Sequence, residues 1–168
     1  MKLIKANKER LSFQIDKKEK RALFSLLKLY PLMPAGYQRL SRSEAKSEDQ
    51  ELLDEALTTQ RLENKRQVLA MMKAKSRFRV NKNGYRFSIK PAQLEWLLQV
   101  LNDIRLGSWL SLGSPDGAVE MFAALSEQNA PYFWAMDMAG QFQMILLHAL
   151  TGEGSTQADS PPSTSREH

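Results

Sequence analysis

Apolar positions recur along this chain in two periods, and the points where one gives way to the other mark its elements. From Arg10 to Ile15, Leu11, Phe13 and Ile15 alternate with Arg10, Ser12 and Gln14, the pattern of a strand with one buried face. Asp16 follows, able to accept a backbone N–H and suited by charge to the positive end of a helix. The spacing then predicts a helix from about Lys17 to Tyr30 that buries Leu23, Phe24, Leu26, Leu27 and Tyr30 and stops at Pro31 and Pro34. Between Pro31 and Ser47 the prolines, Gly36 and the serines around Arg42 read as a connection that either packs through Leu32, Met33, Tyr37 and Leu40 or orders on a partner.

A second long helix is expected from Ser47 to about Lys75, with acidic first turns, Lys73 and Lys75 at its end, and an apolar stripe through Leu53, Ala56, Leu57, Val68, Met71 and Met72. Residues Arg77 to Ile89 return to period two. Phe78, Val80, Tyr85, Phe87 and Ile89 share one face and Arg77, Arg79, Arg86 and Ser88 the other, around an Asn83-Gly84 turn signal, so a hairpin with a basic outer face is predicted. Pro91 suits the first turn of the next helix, which runs through the mostly apolar stretch Lys90 to Gly113. After an SPDG turn come a helical segment, AVEMFAALSEQ, and a closing helix from Pro131 to Leu150 carrying Tyr132, Phe133, Trp134, Met138, Phe142, Ile145 and Leu146. Being apolar nearly all round, the closing helix should be buried or held against another chain.

The two strand-to-helix passages match at an offset of 74: Phe13/Phe87, Ile15/Ile89, Leu23/Leu97, Phe24/Leu98, Leu26/Val100 and Leu27/Leu101 fall in register. They read either as two copies of one local solution or as a coincidence between two apolar patterns of the same period. The expected architecture is a mainly helical α+β domain over residues 1–150, with a small three-stranded antiparallel sheet made by the N-terminal strand and the hairpin. From Thr151 the Gly, Ser, Thr, Pro and charge of the sequence predict a disordered tail, 151–168.

Composition narrows the function classes. The chain has no cysteine, which excludes disulfides, thiolate metal sites and cysteine nucleophiles. The first residues lack the apolar run of a signal peptide and no stretch reaches 18 apolar residues, so a cytoplasmic protein with no membrane partner is expected. The formal net charge of +5 is unevenly spread: residues 1–90 carry 22 Lys/Arg against 10 Asp/Glu, residues 91–168 only 2 against 9. Such asymmetry either balances within one domain or offers an anionic partner a basic half.

Candidate chemistry is sparse. The two histidines, His148 and His168, build no Ser/His/Asp arrangement, and no phosphate-cradling glycine loop, EF-hand or HExxH pattern occurs. Catalytic, cofactor and metal residues are therefore assigned to none. The polar residues of the central helix, Asn102, Asp103 and Arg105, read as a network fixing helix register, or else as a small-molecule or partner site. Arg77, Arg79, Lys82, Arg86 and Lys90, on a hairpin after a helix with a basic C-terminal half, form a candidate nucleic-acid surface. Basic residues on a small sheet also serve to protect its edges.

Two segments carry a resemblance. Leu101-Asn102-Asp103-Ile104-Arg105-Leu106, with Gly107 and Gly113 after it, and Tyr132 to Leu150, with Phe133-Trp134 ahead of Gln141, resemble the bacterial domain-of-unknown-function 2017 family. That family has no established activity, and the position of its genes beside the Clp protease adaptor gene implies a role near regulated proteolysis. The leading expectation is a non-enzymatic interaction or regulatory protein with a protein partner or self-association; the alternative is a nucleic-acid-binding protein using residues 1–90.

Overall fold

The computed structural model describes residues 1–32 and 48–151. Of the connection expected from Pro31 to Ser47, residues 33–47 lie outside the described residues, as do 152–168 of the tail expected from Thr151; Thr151 itself is helical. The elements in order are β1 (Lys2–Ala6), β2 (Leu11–Ile15), α1 (Lys17–Leu27), α2 (Glu48–Lys73), a short 3-10 turn (Lys75–Arg77), β3 (Phe78–Asn81), β4 (Gly84–Ile89), α3 (Pro91–Ser111), α4 (Ala118–Ala123) and α5 (Ala130–Thr151).

The mainly helical α+β architecture is as the periodicity predicts, but the antiparallel sheet has four strands, in the order β1-β2-β4-β3, rather than three. The added strand, β1, pairs with β2 from Lys2↔Gln14 to Ala6↔Leu11, with an irregularity between Leu3 and Lys5. That break in register destroys the alternation a sequence reading depends on. Of the middle of the strand only Leu3 turns toward the core, while Ile4 is exposed.

The hairpin turn also sits one residue earlier than Asn83-Gly84 suggests. Lys82 and Asn83 form the turn, and Gly84 opens β4 at φ 123°. A Cβ there would stand 2.7 Å from the Ile15 carbonyl oxygen, so glycine lets the end of β2 approach this closely.

The offset-74 match corresponds to the pattern of the fold. β1-β2-α1 and β3-β4-α3 are two strand-strand-helix units related across the middle of the sheet, where Phe13 lies directly opposite Phe87. Phe13, Phe87 and Phe78 stack in a row, with centroids 6.0 and 4.8 Å apart, and ring stacking of this kind adds to the area buried. Leu23, Leu26 and Leu27 of α1 and their mates Leu97, Val100 and Leu101 of α3 are all buried.

Helix α1 begins with a capping box, in which the Asp16 carboxylate accepts the Glu19 N–H at 2.8 Å and the Glu19 carboxylate accepts the Asp16 N–H at 2.9 Å. Glu19 also pairs with the ammonium of Met1, tying β1 to α1. The helix ends at Leu27, earlier than predicted, but Tyr30 is buried as expected.

Helix α3 packs along α5, whose inner stripe is Ala135, Ala139, Phe142, Leu146 and Ala149. The small side chains at 135, 139 and 149 leave room for close approach. The rest of this helix, expected to be buried or held against another chain, is less covered: Tyr132 and Phe133 are half-buried and Trp134 is exposed. Helix α2 is held mainly through its second half, by Asn64, Val68 and Met71; of its expected stripe, Leu53 and Leu57 are half-buried and Ala56 is exposed.

Candidate nucleic-acid interface

Strands alternate their side chains between two faces, so a sheet with α1, α3 and α5 on one side turns every second residue outward on the other. Cross-strand pairing sets the outward residues in two rows. One joins Lys5 of β1 to Ser12 of β2 and Ser88 of β4; the other joins Lys2, Gln14, Arg86 and Arg79 across all four strands. At about 4.8 Å between strands, this face is about 14 Å wide.

Its centre is small and polar, and its borders are cationic. The hydroxyls of Ser12 and Ser88 are 3.2 Å apart. Gln14 is fixed by Asn81, whose side-chain amide donates to Gln14 Oε1 at 2.7 Å, while Gln14 Nε2 donates to the Asn83 carbonyl at 3.0 Å. Two adjoining hollows of about 170 and 200 Å³ open here, sharing Arg10, Arg79 and Ser88. Lys5, Arg10, Arg77, Arg79, Arg86 and Lys90 line them together, and no Asp or Glu does.

None of these six cations is in an ion pair among the described residues, where the ion pairs are Met1–Glu19 and Arg66–Glu63. Arg77 is oriented by a hydrogen bond from Nη1 to Gln93 Oε1 at 2.7 Å. Burial, and then the positive charge of nearby Arg10, hold its guanidinium below the usual value. Like charges brought together without a carboxylate repel one another, and an arriving anion relieves that repulsion.

Of the residues singled out on the hairpin, Arg77, Arg79, Arg86 and Lys90 come together around these hollows, whereas Lys82 stands on the turn and lines neither. Lys5, Arg10 and Ser12 complete the site. Arg10 and Ser12 were legible as the polar side of the β2 alternation; Lys5 was hidden by the irregular pairing of β1.

The residues of the central helix form no single network. Asn102 and Arg105 are exposed and make no hydrogen bond among the described residues, because their side of α3 faces away from α5 and the sheet. Solvent meets the charge of Arg105, which therefore needs no partner. Asp103 alone turns inward, accepting from the Tyr30 hydroxyl at 3.4 Å. Burial pushes its carboxyl above the ordinary range, against the opposing pull of Arg61 and of the Tyr30 hydrogen bond.

The centre of this second cluster is Asn64, a buried residue absent from the predicted stripe of α2. Its amide donates to the Tyr30 hydroxyl at 3.2 Å, and its carbonyl oxygen accepts from Trp96 Nε1 at 3.0 Å and Gln60 Nε2 at 2.9 Å. The cluster joins α2 to α3 and to the end of α1, with its hydrogen-bonding groups satisfied by one another, which is the chemistry of a structural latch. Among the described residues no group of three or more His, Asp or Glu side chains is arranged to hold a metal ion, and no helix is long and apolar enough to cross a membrane.

The chain matches no family model, no curated protein and no solved structure, so its likeness to the domain-of-unknown-function 2017 family rests on the two sequence segments alone.

Proposed function

We propose that the protein is a non-enzymatic nucleic-acid-binding protein that holds a phosphate backbone against the outer face of its sheet. The observation that carries this reading is the set of six cations around the paired hollows, unpaired among the described residues and accompanied by no carboxylate. A basic stripe on one face of a chain with a pI near 9.5 is the electrostatic footprint such binding requires.

The make-up of the face favours phosphate over base. No aromatic side chain lines either hollow, so there is no stacking platform for a single strand. The Ser12 and Ser88 hydroxyls can donate to phosphate oxygens between the arginines, contacts that position a backbone without reading its sequence. A short duplex with little sequence preference is the expected ligand.

The test is an anisotropy titration of a labelled 20-base-pair duplex at low salt. R79E/R86E should weaken binding by two orders of magnitude or more, whereas K65E/R66E, the same charge change on the exposed face of α2, should cost less than about tenfold. Equal losses would remove the sheet face from the reading, and no wild-type binding at 50 mM salt would end it.

The protein-interaction reading draws on a different feature, the exposed Val119, Phe122 and Leu125 on and just after α4. Clustered apolar exposure of this kind is a mark of protein contact. On that reading the same molecule also meets a protein, and a role near regulated proteolysis would be one setting for it.

A further inference from the structure

The outer edge of β3 has no strand beside it among the described residues; β3 pairs with β4 alone. A hollow of about 470 Å³ opens along that edge. Its floor is apolar: Phe24, Met72, Phe78, Val80 and Tyr85. Its rim is cationic: Lys20, Lys73, Lys75 and Arg79, with no Asp or Glu lining it and no ion pair to any of the four among the described residues.

We propose that this edge is a docking site for an extended acidic segment of another protein, which adds a fifth strand beside β3. Strand addition of this kind draws affinity from main-chain hydrogen bonds and specificity from alternate side chains. Here the alternation is dictated by β3 itself. Neighbours of Val80 on an added strand turn toward Phe78, Tyr85 and the apolar floor, whereas neighbours of Arg79 turn to the cationic outer face. The matching sequence alternates β-branched apolar residues with Glu or Asp.

Two further observations support this occupant. Val80 is 80% exposed although it lies on the core-facing side of the strand, so it presents an apolar contact still to be covered. The Lys20 ammonium is held 3.8 Å above the Tyr85 ring and within 5.2 and 5.4 Å of Phe78 and Phe24. Nucleic acid suits the floor poorly, because the Tyr85 ring is already covered by Lys20 on one face. Residues 33–47 of this chain carry three cations against one carboxylate, the wrong charge for the rim.

The probe is a fluorescein-labelled octapeptide of alternating Val and Glu, titrated into the full chain, with hydrogen exchange as a second readout. Binding should slow exchange across Phe78–Asn81. V80E should weaken the peptide by about tenfold or more, while K5E, which removes more positive charge at the opposite edge, should leave it within about twofold. A peptide methylated at alternate backbone amides, or with Lys for Glu, should lose at least about tenfold. Duplex DNA should behave in reverse, weakened by K5E more than by V80E, so failure of either site is distinguishable from failure of the other. The proposal is overturned if V80E and K5E weaken the peptide alike, if the methylated peptide binds as well as its parent, or if duplex DNA protects Phe78–Asn81 in its place.

Discussion

Salt should act on duplex binding through a slope that the sheet face itself sets. Each cation that neutralises a phosphate releases about 0.9 of a counterion from B-form DNA. Six cations line the paired hollows and no carboxylate offsets them, so full engagement gives a slope of log affinity against log salt of about −5. Between 50 and 200 mM salt the affinity should then fall by about a thousandfold. Replacing Arg86 by Gln removes one cation from the second row without disturbing the core, since Arg86 is exposed, and should make the slope shallower by about 0.9. R79Q/R86Q should remove about twice that. The assay is anisotropy of a labelled duplex at five or six salt concentrations for the three proteins, each shown to be folded by circular dichroism. A wild-type slope shallower than about −2, or a slope that R79Q/R86Q leaves unchanged, would mean that the counted cations do not meet phosphate.

Three further outcomes follow from the scaffold. Replacing the buried Asn64 by Leu strands the indole N–H of Trp96 and the hydroxyl side of Tyr30; urea unfolding should show a loss of about 2–4 kcal/mol. Gly84→Ala combines a positive φ with a Cβ 2.7 Å from the Ile15 carbonyl oxygen, and should cost about 2 kcal/mol or more, read as a lower urea midpoint at unchanged slope. The Asp103 carboxyl has a raised value in the folded protein, so over that interval the folded state holds more protons than the unfolded one. Its contribution to stability should therefore fall as pH rises from near the ordinary 3.8 up through the raised value, and D103N should flatten that part of the stability profile. An equal pH slope in D103N and wild type would assign the effect to other groups.

What the sequence made legible follows the physics of each element. Period-two alternation located β2, β3 and β4 and the basic outer face, because each strand turns one apolar set to a core that α1, α3 and α5 complete. The Asp16 cap and Pro91 placed the starts of α1 and α3. β1 escaped because its pairing is irregular and contributes one inward residue of note, Leu3. Lys5 went with it. Asn64 could not be found by an apolar count, since its burial depends on Tyr30 and Trp96, distant in sequence and brought to it only by the fold. Asn102, Asp103 and Arg105 share a segment of sequence but not a direction: helix geometry turns Asp103 inward and the other two to solvent. In α5, apolar nearly all round, the sequence pattern does not single out one side, and packing against α3 selects the stripe that starts at Ala135.

The most direct test of phosphate binding on the sheet face is a nuclear magnetic resonance titration of the isotope-labelled protein with an unlabelled duplex. The account predicts the largest shifts at the amides of Lys5, Ser12 and Ser88 and at the side-chain Nε–H groups of Arg10, Arg77, Arg79 and Arg86. Shifts concentrated on Lys65, Arg66 and their neighbours in α2, with the sheet unmoved, would contradict it.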